Sequence, residues 1–374
     1  MHIGYDAKRL FLNDTGLGNY SRTLLQSLTR YHPEHQYHLY TPRTRPRLGQ
    51  AYLRQPNVHV HTPRGFLARR FSGAWRSIGL GGELPGVVDV YHGLSHELPL
   101  SITSSGVPSV VTMHDLIHER YPEQYGRINR MLYRNKFRFA AANATRVVAI
   151  SEQTKRDLID FYHVPADRIE VIYQSCDPIF YRKHKPDALE GIREKYRLPH
   201  RYLLYVGSII ERKNLLNIVE ALSQLPIDYQ LVVVGSGKQY FKQVQCKVAE
   251  LELTNRVLFR KVDFTDLPAV YQAARMLVYP SIFEGFGIPI IEALHSGIPV
   301  VTSRGGVFPE AGGGGAVYAD PHDSSIIAEA IASLWQDTEY RQQLIEAGRA
   351  HVRTFAPERI AGQWMTLYTQ LTQL

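Results

Sequence analysis

Residues 281–301 read SIFEGFGIPIIEALHSGIPVV, and this stretch decides which fold the chain adopts. It begins where a short apolar strand closes, passes through a glycine-rich loop into a helix that Pro289 can begin, and ends in a second apolar strand. Strands that are apolar throughout, rather than alternating with polar residues, indicate a parallel sheet covered on both faces. Two carboxylates, Glu284 and Glu292, interrupt this otherwise buried pattern and need a physical reason to be there.

The same alternation of apolar strands and helical segments runs along both halves of the chain. We predict strands in MHIGYDA, NVHVHTP, VVDVYHG, PSVVTMHD and TRVVAIS, and again in RYLLYVGS, YQLVVVGSG, RMLVYPS, GIPVVTS and GAVYADP. This pattern predicts an α/β protein of two doubly wound, Rossmann-like domains facing a cleft bordered by the carboxyl ends of their strands. We place the domains at 1–178 and 179–356, with a polar linker within 176–201. An amphipathic helix at 357–374 is expected to pack back towards the first domain.

Composition narrows the class of protein. A chain of 374 residues that is 44% hydrophobic and 21% charged is globular, and its length suggests two domains. No apolar run is long enough to span a membrane and the N-terminus lacks a signal-peptide pattern, so we expect a cytoplasmic protein. Residues 1–180 hold 22 Lys/Arg against 15 Asp/Glu, which places almost all of the net charge of +8 in the first half. Only the first domain is therefore expected to meet an anionic surface.

A basic pair follows the first strand of the second half, in GSIIERKN (207–214). Gly207 permits a tight turn, and Arg212 and Lys213 stand just before a predicted helix. Cations there, with the backbone N–H groups of a helix start, suit a bound phosphate. A solvated basic pair is the plainer alternative, but cations are disfavoured at this end of a helix, so a bound anion explains them better.

The two glutamates suit hydroxyl groups. Glu292 lies near a helix start, and a carboxylate accepts two hydrogen bonds, as a vicinal diol such as a ribose requires. Glu284 lies in the loop and could hold hydroxyls of a sugar, while Gly285 and Gly287 let the backbone approach a ligand closely. The alternatives are a helix-dipole partner for Glu292 and a solvated loop acid for Glu284.

These segments together resemble a known family. FEGFGIPIIEAL resembles the E-x7-E signature of the family 4 (group 1) retaining glycosyltransferases, which have the two-domain GT-B fold. GSIIERKN is similar to the phosphate loop of that family, and DTGLGNYSRTLLQSL, VVTMHDL and GVFPEAGGGGAVYADPHD match further segments in the expected order. YQSCDP (173–178) departs from the family, which usually has an Asn-Gly pair before the aspartate.

The resemblance implies roles for particular residues. The first domain binds the acceptor and the second the nucleotide sugar. Arg212 and Lys213 neutralise the diphosphate leaving group, Glu284 contacts the donor sugar and Glu292 holds the ribose. His114, after the strand PSVVTM, lies near the donor sugar, although a satisfied loop histidine is a serious alternative among 16 histidines. The remaining donor-binding positions that the resemblance implies are Gly16, Gly18, Gly207, Gly285, Phe286, Gly287 and Ile288.

The predicted chemistry is transfer of a hexose with retention, in which Arg212, Lys213, Glu284 and His114 are the catalytic residues. No D-x-D sequence is present, so we expect neither a metal nor another cofactor. No carboxylate is a convincing nucleophile, so front-face attack by the acceptor, with the leaving phosphate as base, is preferred. The donor we favour is GDP-mannose, because similar sequences are often mannosyltransferases, and the acceptor is a glycan or lipid-linked saccharide of polysaccharide or lipopolysaccharide biosynthesis.

Other functions stay open at this point. A UDP-sugar-dependent transferase and a sugar-nucleotide epimerase share the pattern. A nicotinamide-dependent dehydrogenase is disfavoured by the poor glycine fingerprint, and a basic nucleic-acid-binding module would leave the E-x7-E segment without purpose, so we expect no nucleic acid partner. Segments 64–77 and 127–139 mix arginines with large apolar residues and suit an anionic membrane surface or a lipid diphosphate, although ordinary surface helices with snorkelling arginines are an equal alternative. They predict an enzyme peripheral to the inner membrane face.

Overall fold

The computed structural model of the protein describes residues 1–45, 48 and 51–373. The chain forms two compact units: an N-terminal unit of residues 1–175 and 355–374, and a C-terminal unit of residues 176–354. The predicted divisions after 178 and 356 lie within three residues of these boundaries. Among the described residues, no helix is both long and apolar enough to cross a membrane.

Each unit contains one parallel sheet. The N-terminal sheet has seven strands in the order β3-β2-β1-β4-β5-β6-β7, and the C-terminal sheet has six in the order β10-β9-β8-β11-β12-β13. The strands are β1 His2–Asp6, β2 Gln36–Tyr40, β3 Val58–His61, β4 Val90–Gly93, β5 Ser109–Met113, β6 Arg146–Ala149, β7 Ile169–Val171, β8 Leu203–Val206, β9 Leu231–Val234, β10 Val257–Arg260, β11 Met276–Tyr279, β12 Val300–Ser303 and β13 Ala316–Ala319.

Helices connect the strands, as parallel pairing requires. They are α1 Lys8–Leu12, α2 Gly16–Tyr31, α3 Phe66–Arg70, α4 Ser72–Ala74, α5 Ile102–Ser105, α6 Ile117–Arg120, α7 Arg127–Asn143, α8 Glu152–Tyr162, α9 Pro186–Tyr196, α10 Leu215–Ser223, α11 Gln239–Glu250, α12 Leu267–Ala273, α13 Ile288–Ser296, α14 Phe308–Gly312, α15 Ser324–Gln336, α16 Thr338–His351 and α17 Pro357–Leu371. The two doubly wound α/β domains predicted from the sequence are confirmed.

All ten predicted strands are present, and three further strands were missed. β7 and β10 are short, only partly buried edge strands, and their sequences IEV and VLFR contain at most three consecutive apolar residues. β2 reads QYHLY and lies inside the sheet, yet aromatic and polar residues replace the aliphatic ones that mark the other strands. His38 pairs in register with Gly4 of β1 and His59 of β3, so histidines occupy one face of this edge of the sheet.

The last helix, α17, completes the core of the N-terminal unit. Trp364 and Tyr368 are fully buried in the same apolar cluster as Ile3 of β1 and Leu24 of α2. The Trp364 indole stacks on the His92 ring of β4 at 4.4 Å between ring centroids, and the Tyr368 hydroxyl lies 2.7 Å from Nδ1 of His92. The prediction that this helix packs on the first domain is confirmed.

Candidate functional site

The loops after β8 and β11 meet in the C-terminal unit, because these two strands are neighbours in the sheet. The Ile282 backbone N–H donates to the Arg212 carbonyl at 2.9 Å, and the Asn214 side chain donates to the Pro280 carbonyl at 3.0 Å. Asn214 also donates to the Pro321 carbonyl at 2.6 Å, which ties both loops to the segment after β13. The basic pair and the loop of Glu284 are therefore held as one structure.

Glu284 is the centre of this structure. Its Oε1 lies 2.6 Å from Nζ of Lys213 and 2.9 Å from Nη1 of Arg212, and it accepts hydrogen bonds from the Ser281 hydroxyl at 2.6 Å and the Tyr279 hydroxyl at 3.0 Å. The residue is only 8% exposed. These four contacts are all made by Oε1, so a carboxylate held in this way can offer Oε2 to a ligand hydroxyl.

The electrostatics of the cluster favour an anion. Burial alone would raise the pKa of Glu284, but Lys213 and Arg212 outweigh that effect and lower the pKa to about 2. Burial lowers the pKa of Lys213, and the nearby carboxylate of Glu284 opposes that change. The two cations are partly buried and share one carboxylate, so these three groups together carry a net charge of about +1.

The start of α10 is built differently from the sequence expectation. Arg212 and Lys213 lie in a short 3-10 turn, Glu211–Lys213, and Asn214 precedes the helix with φ 60°. The counter-charge for the two cations is Glu284 itself, so the cations do not by themselves require a bound anion. The structure brings Arg212, Lys213 and Glu284 together, as the sequence predicts. Gly207 directly follows β8, and its backbone N–H donates to the Val234 carbonyl at 3.0 Å.

The glycine loop leads directly into α13, as predicted. Gly287 has φ 104°, a conformation that glycine adopts without the strain of a side chain, and α13 follows from Ile288. Phe286 is buried, whereas Gly285 is partly exposed.

Glu292 has its own partner. The Tyr271 hydroxyl of α12 donates to Oε2 of Glu292 at 2.9 Å. The pKa of Glu292 is raised to about 7, mainly by burial. The hydrogen bond from Tyr271 lowers this pKa, and the negative charge of Asp177 raises it. This carboxyl group therefore changes charge near neutral pH, unlike Glu284.

His114 lies in the N-terminal unit, at the end of β5. Its Nε2 lies 2.9 Å from the Leu94 carbonyl, and its ring meets the Tyr20 ring edge-on at 4.6 Å. Burial, with His96 nearby, lowers the pKa of His114 to about 3, so the ring is neutral. A neutral imidazole that donates through Nε2 keeps Nδ1 as an acceptor. His118 is engaged with the Tyr162 hydroxyl at 2.8 Å.

Gly16 and Gly18 differ in what surrounds them. A Cβ on Gly18 would lie 1.9 Å from the Asn13 carbonyl oxygen, so the fold itself requires glycine there. Oδ1 of Asn13 accepts from the backbone N–H of Thr15 at 2.9 Å and of Gly18 at 3.1 Å. No atom lies within 4 Å of a Cβ on Gly16, among the residues the structure describes. Gly16 therefore leaves open space beside the start of α2.

A group of possible metal ligands lies elsewhere in the N-terminal unit. His32, Glu34 and His35, which follow α2, bring their ligand atoms within 4.8 Å of one another. His35 also lies 3.2 Å from the N-terminal amine. This group contains none of the predicted site residues.

Sequence reasoning missed the residues that hold the two glutamates. Ser281 and Tyr279 lie beside Glu284 in the sequence, so their positions could have suggested a role, and Asn214 completes the R-K-N triplet. Tyr271 lies 21 residues before Glu292 and reaches it only through the packing of α12 against α13, so no sequence signal could have found it.

Each unit is built on a parallel sheet, and the cation–carboxylate cluster lies at strand ends. These features define an α/β protein of the class that binds small ligands at the carboxyl edge of its sheets. The family model described as "Glycosyl transferases group 1" matches residues 190–351, and the one described as "Glycosyltransferase Family 4" matches residues 15–179.

Curated relatives agree with the family models. The chain is 30% identical over 290 residues to O-antigen chain mannosyltransferase B of Escherichia coli, covering 75% of this chain and 74% of that protein. It is 32% identical over 227 residues to O-antigen chain mannosyltransferase RfbU of Salmonella typhimurium, covering 60% of each. The alignment with WbdA of Escherichia coli spans only about a third of that longer protein.

Solved structures give the same fold. Anabaena Alr3699/HepE in complex with UDP and glucose matches with a TM-score of 0.80 at 20% identity, covering 99% of this chain and all of that one. WaaG, a glycosyltransferase involved in lipopolysaccharide biosynthesis, matches with a TM-score of 0.71 at 19% identity, covering 99% of this chain and all of that one. The chain belongs to the group 1, or family 4, glycosyltransferases and has their GT-B fold. The prediction of a glycosyltransferase is therefore confirmed, and the family matches do not favour the alternatives of a dehydrogenase or a nucleic-acid-binding module.

Proposed function

We propose that this enzyme transfers an α-mannosyl group, with retention, from GDP-mannose to a glycan or lipid-linked saccharide. The names of the relatives support mannose as the sugar and O-antigen polysaccharide as the kind of product. The observation that carries the proposal is the cluster in which Lys213 and Arg212 contact Glu284 at 2.6 and 2.9 Å.

The cluster fits the charge that glycosyl transfer develops. Negative charge builds on the departing diphosphate, and the fixed cations Arg212 and Lys213 stabilise it. In this proposal they carry the charge that a divalent metal carries in other transferases, so we expect activity to be unchanged by EDTA. Oε2 of Glu284 accepts a hydroxyl of the donor sugar, and Glu292 binds the ribose when it is ionised.

Front-face attack suits the same geometry. Oε1 of Glu284 already has four contacts and the pKa of the group is lowered to about 2, which makes it a weak nucleophile. The acceptor hydroxyl bonds to the anomeric carbon as the bond from that carbon to the diphosphate oxygen breaks. The hydroxyl proton passes to the departing phosphate oxygen. His114 accepts a hydrogen bond from the donor sugar at Nδ1.

Ligand-induced stabilisation tests the donor. Melting temperatures are measured with GDP, UDP, GDP-mannose and UDP-glucose for the wild type, for Lys213→Ala and for Lys242→Ala, an exposed control on α11. At a concentration of 100 times Kd, binding should stabilise the folded enzyme by about 2.7 kcal/mol. We expect GDP and GDP-mannose to stabilise the wild type and the control but not Lys213→Ala. Stabilisation by the uridine compounds alone would show that the donor is a UDP-sugar and not GDP-mannose. An equal response of Lys213→Ala would remove Lys213 from the diphosphate site.

We also propose peripheral attachment to an anionic membrane. On α7, Ile128 is 72% and Met131 55% exposed, next to the exposed Arg127, and α3 presents the exposed Phe66. Apolar side chains beside arginine suit a lipid interface.

Part of segment 64–77 does not contribute to this surface. Trp75 is buried and donates through Nε1 to Glu83 at 2.6 Å, and Arg76 pairs with Asp6 and Glu97.

Vesicle flotation tests the attachment. We expect Ile128→Ser with Met131→Ser, or Arg69→Ala with Arg70→Ala, to reduce binding to anionic vesicles. Ile227→Ser is the matched control, because Ile227 is 79% exposed in the C-terminal unit. Unchanged flotation of both double variants would refute membrane attachment through these segments.

A further inference from the structure

The N-terminal unit contains a basic cavity that the donor chemistry does not use. It has a volume of about 900 Å³, within the range of ligand-binding pockets. Its walls come from residues that follow β1, β2 and β3 and from α7, so it lies at the carboxyl edge of the sheet. The cations in its lining are Lys8, Arg43, Arg69, Arg76 and Lys136.

The acids near this cavity are already paired. Arg76 contacts both Asp6 and Glu97, and Lys136 lies 3.5 Å from Glu97. The pKa of Glu97 is lowered to about 2, because Arg76 and Lys136 outweigh burial, which alone would raise it. Five cations against these two carboxylates leave a net charge of about +3 around the cavity.

Three of the cations have no carboxylate partner. Within the described part of the chain, no acid lies within ion-pair distance of Lys8, Arg43 or Arg69. Burial lowers the pKa of Lys8, Arg76 and Arg9 lower it further, and Glu97 and Asp6 oppose the change. A bound anion would stabilise the Lys8 ammonium group, which burial and the neighbouring arginines destabilise, and would give the exposed Arg43 and Arg69 a partner of opposite charge.

A smaller cavity with a partly apolar lining adjoins the basic one. It has a volume of about 110 Å³ and shares Arg76, Ser77 and Lys136 with the basic cavity, and its lining adds Glu97, Leu98, Leu100 and Phe139. A ligand with a charged group and an apolar neighbour fits the two cavities together.

We propose that Lys8, Arg43 and Arg69 bind a phosphate or diphosphate group of the acceptor. The assignment of this group to the acceptor rests on the proposed function, in which the donor diphosphate occupies the C-terminal unit. Arginine suits phosphate because its planar group donates two parallel hydrogen bonds. The same anionic chemistry could come from a lipid diphosphate or from a soluble phosphate.

Isothermal titration of the full-length enzyme tests this site. The probes are inorganic pyrophosphate, farnesyl diphosphate and the neutral alcohol farnesol, at fixed ionic strength. The test variant is Arg43→Ala with Arg69→Ala, and the control is Arg30→Ala with Arg54→Ala. All four side chains are exposed and belong to the N-terminal unit, so both proteins should fold. Lys213→Ala reports separately on anions bound in the C-terminal unit.

We expect pyrophosphate to bind the wild type, the control and Lys213→Ala, and to bind the test variant at least about tenfold more weakly at this site. Tighter binding of farnesyl diphosphate than of pyrophosphate, with no binding of farnesol, assigns the phosphate to a lipid. Equal binding of the two diphosphates assigns it to a soluble acceptor. Identical titrations of the test and control variants would overturn the proposal. Failure of nucleotides to stabilise the wild type would instead count against the proposed donor and leave this result intact.

Discussion

Replacing Glu292 with Gln should make the C-terminal unit more stable at alkaline pH. The pKa of Glu292 is raised by burial from the ordinary 4.5 to about 7, so the folded protein holds this proton more tightly than the unfolded chain does. As pH rises through 4.5 the unfolded chain loses the proton first, and stability falls until the folded group also ionises near 7. The loss is complete above that pH. Glutamine at this position removes the loss of stability, because its side chain carries no charge and can still accept a hydrogen bond from the Tyr271 hydroxyl.

The size of the effect follows from the shift. A change from 4.5 to about 7 corresponds to about 3 kcal/mol, at roughly 1.4 kcal/mol for each tenfold change in proton affinity. Glu292 is partly exposed, and solvent screening reduces this to about 1–2 kcal/mol. For a unit of this size, that free energy shifts the melting temperature by roughly 2–8 °C.

The assay is thermal unfolding of the wild type, Glu292→Gln and the control Glu329→Gln between pH 4.5 and 8.5. Glu329 is exposed on α15 in the same unit. We expect the melting temperature of Glu292→Gln to rise relative to that of the wild type between pH 5 and 7 and then to level off. The control should follow the wild type throughout. Parallel curves for Glu292→Gln and the wild type would refute the argument that this carboxyl group titrates near neutral pH.

Three further perturbations have definite expected outcomes. Gly18→Ala places a Cβ 1.9 Å from the Asn13 carbonyl oxygen and should cost about 1–3 kcal/mol in the free energy of unfolding, whereas Gly16→Ala should be nearly neutral; equal urea midpoints would contradict this. Trp364→Ala empties a fully buried position and should cost about 3–5 kcal/mol, which urea unfolding followed by circular dichroism would measure. A loss below 1 kcal/mol would contradict the contribution of Trp364 to this core. Glu284→Gln should lower kcat/KM by roughly 100-fold or more in a radiolabelled sugar-transfer assay, and wild-type kinetics would remove Glu284 from the reaction.

The sequence predicted the elements whose signal is local. Apolar strands, the R-K-N triplet and the glycine loop before Pro289 each depend on neighbours in the chain, and the structure contains them at the predicted places. Because β8 and β11 are adjacent, the strand-end rule was enough to bring Arg212, Lys213 and Glu284 together.

Tertiary packing decided the rest. β2 is a strand because β1 and β3 pair with it on either side, although QYHLY has little aliphatic character. The neutral, titratable state of Glu292 depends on burial and on Tyr271 from another helix. The direct ion pairing of Glu284 with the two cations could not be predicted, because the strand-end rule places residues at the same edge of a sheet but does not give the distance between their side chains.

The order of the chain through the two units also bears on biosynthesis. Residues 355–374 return to the unit that residues 1–175 began, so the C-terminal unit is an insertion within the N-terminal one. On the ribosome, the second unit has its whole sequence available before the first unit receives the helix that fills its core. The core of the N-terminal unit therefore stays incomplete, with the buried position of Trp364 empty, until α17 has been synthesised. A nascent chain that stops short of α17 would present this apolar surface to chaperones and proteases.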